Sequence, residues 1–220
     1  GNLTVKHRNS LLSKIGITDV TVVAEQEMPD GNFTTCPYPN PEIREALELG
    51  LKKCEEVKPD LLLATDPDCD RVGIAVRTGD EYKLMTGNEV GAIFCEYLLS
   101  ELKAKGELPE NPVVVKTIVT TPLIAAIAKE YGAEMRDLLT GFKYIGEKMN
   151  EYEASGQYSF VFGYEESYGY LAGDYARDKD AVIAAMLICE AAAYYRTQNK
   201  TLYDVLKSLY EQHGYYLELQ

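Results

Sequence analysis

A carboxylate stands at every second position of the run Asp66-Pro67-Asp68-Cys69-Asp70, and Arg71 follows at once. Three acids in one bend repel one another, and the usual relief is a divalent cation. One oxygen from each matches part of the octahedral shell of Mg²⁺, leaving positions for water and a phosphate oxygen. The apolar stretch Asp60 to Ala64 leads into the bend, Pro67 keeps the strand from continuing, and Arg71 adds a donor fork suited to phosphate. The plain alternative is a solvated acidic turn, and the third acid, the preceding strand and the adjoining Arg together favour the metal. An EF-hand loop is excluded, because its glycine and glutamate positions counted from Asp66 are Arg71 and Arg77.

A second constellation is Gly163-Tyr164-Glu165-Glu166-Ser167-Tyr168-Gly169. Glu165 and Ser167, two apart, can point the same way, with an ordinary surface turn as the favoured alternative for this stretch alone. A carboxylate beside a hydroxyl suits paired sugar hydroxyls, and the bracketing glycines let backbone approach a ligand. The segment Arg177-Asp178-Lys179-Asp180 stands at the mouth of an apolar helix, where amides and cations together suit a phosphate, with a surface salt-bridge cluster as the alternative. Lys116 lies inside the apolar run VVVKTIVTT, so its charge must reach the strand end or a partner. Thr140-Gly141-Phe142-Lys143 opens a helix as a ligand-binding turn or a simple cap. His7 and His213 have no acid or thiol at zinc-ligand spacing, and no GxSxG, GxxxxGK[ST] or GxGxxG occurs.

The elements that must hold these residues alternate. Helix is expected over 5–15, strand over 19–24, and helix from an Asn40 cap and Pro41 through about Val57. Strands follow at 60–64 and 71–77, with a polar link near 78–83 and a helix from Asn88 to about Lys105. Beyond it come strand 113–119, helix 121–131, strand 134–138, helix 142–154 and strand 158–162. Asp180 caps the helix 181–196, and Thr201 with Asp204 opens a last one ending at Gly214. Strands separated by helices predict an α/β fold with a largely parallel or mixed sheet. The boundary falls near 82, giving a domain over 1–81 with the acidic bend and another over 82–220 with the Glu165 loop.

At 220 residues, 46% of them hydrophobic, the chain can bury a core without disulfides. Its 22 basic and 35 acidic residues leave −13, a field of the wrong sign for nucleic acid or anionic lipid, so an anionic substrate must meet a local positive pocket. Five scattered cysteines suggest free thiols in the cytoplasm, and no apolar run is long enough for a membrane span.

These motifs, in this order, resemble the α-D-phosphohexomutase superfamily, in particular its phosphoglucomutase branch. TDPDCDR looks like its metal loop and GYEESYG like its sugar-recognition loop, and TGFKYIGEKM, VVKTIVTT, EQEMPDGNF and RDKDAV extend the likeness along nearly the whole chain. The resemblance implies mixed αβ sandwich domains and a reversible phosphate transfer between the 1 and 6 positions of a hexose. Glucose 1-phosphate, glucose 6-phosphate and glucose 1,6-bisphosphate would be the ligands. It implies that Asp66, Asp68 and Asp70 ligate Mg²⁺ and that Arg71 holds the phosphoserine loop or substrate. Glu165 and Ser167 would read sugar hydroxyls, Lys116 would serve proton transfer, Thr140 and Gly141 would contact sugar, and Lys179 would face phosphate.

The family's phosphoserine loop, resembling TASHNP, and its clamping loop, resembling RPSGTEP, do not occur here. The chain is therefore expected to be an internal piece, lacking domains 1 and 4 and inactive by itself. Mannose or pentose phosphate specificity is the alternative within the superfamily. Outside it stand a haloacid-dehalogenase-type phosphotransferase with Asp66 as nucleophile, and a non-catalytic sugar-phosphate-binding module.

Overall fold

The acidic bend sits on a hairpin. The computed structural model describes residues 9–218, and in it β1 (Leu61–Thr65) runs antiparallel to β2 (Val72–Thr78), with the bend joining them. β2 has two neighbours and buries Val72 to Val76, whereas β1 is an edge strand, half-exposed along its length. The polar link expected over 78–83 is instead a tight turn followed by β3 (Glu81–Met85), antiparallel to β2. Its exposed Glu81 and Lys83 disguise an edge strand as a linker.

Thr86 then caps α2 (Gly87–Lys105), its hydroxyl accepting from the Glu89 amide while the Glu89 carboxylate accepts from Thr86 N–H. This start precedes the expected Asn88. Asn88 is drawn inward, where its Oδ1 accepts from the Thr121 amide at 3.1 Å and the Tyr164 hydroxyl at 3.3 Å.

The second sheet has the order β5-β4-β6-β7, from β5 (Glu134–Leu138), β4 (Pro112–Thr117), β6 (Ser159–Glu165) and β7 (Gly169–Ala172). β4 is parallel to both neighbours and β7 is antiparallel to β6, so the sheet is mixed as expected, while the first sheet is antiparallel. On it pack α2, α3 (Leu123–Glu130), α4 (Phe142–Ser155) and α5 (Ala181–Arg196), while α6 (Leu202–His213) packs against the helices and β2. Tyr164 and Tyr170 are wholly buried with their rings parallel and centroids 6.1 Å apart, in the centre of the core.

Two expectations near the start do not hold. Residues 19–24 form no strand, because no neighbouring strand pairs with them, and they end in a 3₁₀ turn at Ala24–Gln26. The helix expected from Pro41 begins as a 3₁₀ turn at Arg44–Leu47 before α1 (Glu48–Val57). Asn40 and Glu42 are taken up elsewhere, as the site shows. Of the helix expected over 5–15, residues 9–14 are helical, and 5–8 lie outside the described residues.

Candidate active site

The fold brings the two sequence constellations face to face. Val72 N–H donates to the Tyr168 carbonyl at 3.1 Å, Arg71 and Gly169 form a bridge, and the Ala181 amide at the start of α5 donates to the Cys69 carbonyl. These backbone bonds lock the acidic bend, the Glu165 turn and the mouth of α5 together. Between them lies a cavity of about 260 Å³ lined by Asp66, Asp68, Asp70, Arg71, Glu165, Ser167 and Lys179. A larger cavity, about 1020 Å³, opens between residues 17–30 and β1. Apolar side chains line much of it, while the cations, the acids and Ser167 converge in the smaller one, which we take as the site.

Within the bend, Asp66 is nearly sealed at 3% exposure. Its Oδ1 accepts from the backbone amides of Asp70 and Arg71, both at 3.1 Å, and its Oδ2 accepts from Arg71 Nε at 2.7 Å. Burial pushes its carboxyl up, but the hydrogen bonds from Asp70 and Arg71 outweigh that and leave it below the usual range. Asp70 is held above it, first by burial and then by the Asp66 carboxylate, with Lys179 opposing. Asp68 has no hydrogen-bond or ion-pair partner among the described residues.

One oxygen from each of the three acids lies within 4.8 Å of the others. Neighbouring oxygens on a Mg²⁺ ion are about 3 Å apart and an opposite pair about 4.2 Å, so the three acids have to draw closer to share one ion. An all-oxygen, acid-rich donor set suits Mg²⁺.

Arg71 is positioned by residues the sequence did not announce. Its Nη1 donates to Glu42 Oε1 at 3.0 Å and to Asn40 Oδ1 at 3.4 Å. Asn40 also accepts from the Glu42 amide, so PNPE folds as a turn bracing the guanidinium in place of a helix start. The signal was the pair of prolines around Asn40, which restrict the backbone on both sides.

Glu165, 6% exposed, ends β6 and is not on a loop, so the expected loop shrinks to a turn over 166–168. Its Oε1 accepts from the Gly141 amide at 2.8 Å, and its Oε2 lies 4.0 Å from Lys179 Nζ. Gly141 takes φ 122°, a conformation open to glycine, while Thr140 beside it is exposed. The bracketing glycines approach protein groups: Gly163 faces Ile145 and Phe160, and Gly169 faces the Lys179 stem.

At the mouth of α5 the expected phosphate cluster divides. Asp180 takes the helix amides of Val182 and Ile183 for itself, and Arg177 turns to Asn150 and Glu153 of α4. Lys179 alone enters the cavity. Lys116, 5% exposed, reaches the end of β4 but spends its ammonium on Asp137 at 2.8 Å and on the carbonyls of Thr117 and Thr120. Neither it nor Thr140 lines the cavity. His213 stands 3.4 Å from Glu130, and His7 lies outside the described residues. Among the described residues no disulfide joins any of the five cysteines, and no helix is long and apolar enough to cross a membrane.

An antiparallel hairpin presenting three acids to a turn on a mixed sheet defines a two-sheet α/β protein with an acidic cleft that also holds Arg71 and Lys179. Comparison with known proteins places it. The model of phosphoglucomutase/phosphomannomutase α/β/α domain II matches residues 3–79, and that of domain III matches 86–213. The chain belongs to the phosphoglucomutase/phosphomannomutase family.

It is 35% identical over 207 residues to a phosphoglucomutase of Staphylococcus haemolyticus, covering 94% of this chain and 37% of that protein. It is 34% identical over 210 residues to a phosphomannomutase of Mycoplasmoides pirum, covering 95% and 38%. A phosphoglucomutase/phosphomannomutase family protein from Burkholderia thailandensis shares the fold, with a TM-score of 0.64 at 20% identity over 88% of this chain and 36% of that one. The chain thus spans about two fifths of the length of the curated relatives it matches.

Proposed function

We propose that this chain is the metal- and sugar-binding part of a cytoplasmic phosphoglucomutase, which interconverts glucose 1-phosphate and glucose 6-phosphate through a phosphoserine and glucose 1,6-bisphosphate. The observation that carries the reading is the convergence of Asp66, Asp68 and Asp70 with Glu165, Ser167, Arg71 and Lys179 around one cavity. In a chain of net charge −13, Arg71 and Lys179 supply the local positive potential an anionic sugar needs.

Glu165, fixed by the Gly141 amide, keeps Oε2 for a pair of sugar hydroxyls, and Ser167 adds a donor or acceptor beside it. Arg71, braced by Asp66 and Glu42, presents a fixed cation to a phosphoryl group. When bound at Asp66, Asp68 and Asp70, Mg²⁺ would supply Lewis-acid stabilisation of the transferring phosphate. For Lys116 the proposed proton transfer requires its ammonium to leave Asp137, which stands at the same sheet end as Glu165. The nucleophile lies outside this stretch.

Titration calorimetry of the chain with glucose 1,6-bisphosphate in Mg²⁺ tests the reading. Binding is expected, weakened at least about tenfold in Glu165→Ala, since a lost hydrogen bond to a charged group is worth roughly 1.5–3 kcal/mol. No turnover of glucose 1-phosphate is expected. Equal binding by the variant, or mutase activity by the chain alone, overturns it. Mannose 1,6-bisphosphate binding more tightly than the glucose compound would move the assignment to a phosphomannomutase.

A further inference from the structure

Lys179 holds an unusual place. Its Nζ lies 3.0 Å from Asp70 Oδ2, 3.2 Å from Asp178 Oδ1 and 4.0 Å from Glu165 Oε2, and its side chain is only 15% exposed. The stem is confined. It passes over Gly169, where a Cβ would stand 2.0 Å from its Cδ, and the ammonium sits 5.4 Å from the centre of the Phe142 ring. The head is thus limited to a short arc among Asp70 of the bend, Glu165 and the lysine's own chain neighbour Asp178. Of the three bend acids, Asp66 is committed to Arg71 and the backbone, and Asp68 carries no partner among the described residues. Asp70 has Oδ1 3.7 Å from Arg71 Nε, and its Oδ2 is the bend oxygen that Lys179 holds.

We propose that Lys179 is the resident cation of the acidic bend, a positioning residue that neutralises Asp70 until a divalent ion displaces it and then swings toward Glu165. The inference rests on the metal reading above and adds a competitor to it. A unit positive charge a few ångströms from the ion repels it, and the Asp70 oxygen it occupies must be released before ligation. The two effects act in the same direction. Because the released ammonium has Glu165 within reach, metal occupancy and the sugar-reading acid are linked through one side chain.

The test is Mn²⁺ affinity, followed by the electron paramagnetic resonance of the free ion and by Mg²⁺ competition, for the wild-type chain, Lys179→Met and Lys179→Arg. Thermal melts with and without Mn²⁺ accompany the titrations. Lys179→Met is expected to bind at least about tenfold more tightly than wild type. It should melt lower without metal and gain more from metal, while Lys179→Arg stays near wild type. A merely structural lysine predicts the reverse, a loosened bend and weaker binding. Equal or weaker affinity in Lys179→Met overturns the inference while leaving the metal reading intact. No Mn²⁺ binding by any of the three proteins overturns both. Lys179→Gln carries the same expectation should the Met variant not fold.

Discussion

β1 and β4 are alike as sequence and opposite as structure. Each carries three consecutive aliphatic residues, Leu61 to Leu63 in one and Val113 to Val115 in the other, and each delivers a polar residue to the site end of its sheet. β4 lies between two parallel partners and is buried throughout, whereas β1 has one partner and stays half-exposed. Burial here is set by neighbours and not by the hydrophobicity of the strand. The two walls of the cleft therefore differ in support. The acidic bend springs from a partly covered edge hairpin, and Glu165 springs from the strand next to the centre of the core.

Mutation can break that contrast. Phe162, 1% exposed on β6 and edge-on to Phe94, is expected to cost about 3–5 kcal/mol as Phe162→Ala in urea unfolding. Leu63→Ala on β1 should cost no more than about 2 kcal/mol, because its half-exposed side chain leaves a smaller cavity. Equal losses would show β1 to be as well supported as the central sheet.

The smallest expected effect lies far from both walls, at the capping box of α6. There Thr201→Ala should cost about 1 kcal/mol. Asp204 is lowered to about 2 from an ordinary 3.8, first by Lys207 and then by Thr201. A depressed carboxyl contributes stability above its unfolded value and loses it as pH falls, so the gap between wild type and Thr201→Ala should narrow between about pH 4 and pH 2. A gap constant across that range would assign the cap to the Thr201 hydroxyl alone.

The same contrast explains what the sequence could say. The acidic bend was legible because three acids and a proline after an apolar strand are a local pattern. Strand 134–138, the Asp180 cap and the Thr201–Asp204 box were legible because each depends on residues a few positions apart. Residues 19–24 misled because Val-rich stretches pair only where a partner strand lies alongside, which no local pattern reveals. Glu42 reads as a helix-start charge until Arg71, 29 residues on, is folded against it. Lys179 reads as one of four alternating charges until Gly169 threads its stem into the cleft. β3 and β7 went unseen because one is polar enough to pass for a link and the other is four residues long.

We propose that Asp66, Asp68 and Asp70 act together as a divalent-ion site, and Asp68, without a hydrogen-bond or ion-pair partner among the described residues, is the residue that isolates it. Mn²⁺ titration of the wild-type chain, Asp68→Ala and, as a remote acidic control, Asp80→Ala in the β2–β3 turn measures this directly. One ion per wild-type chain is expected, with unchanged affinity in Asp80→Ala and a loss of at least about tenfold in Asp68→Ala. Wild-type affinity in Asp68→Ala would contradict it.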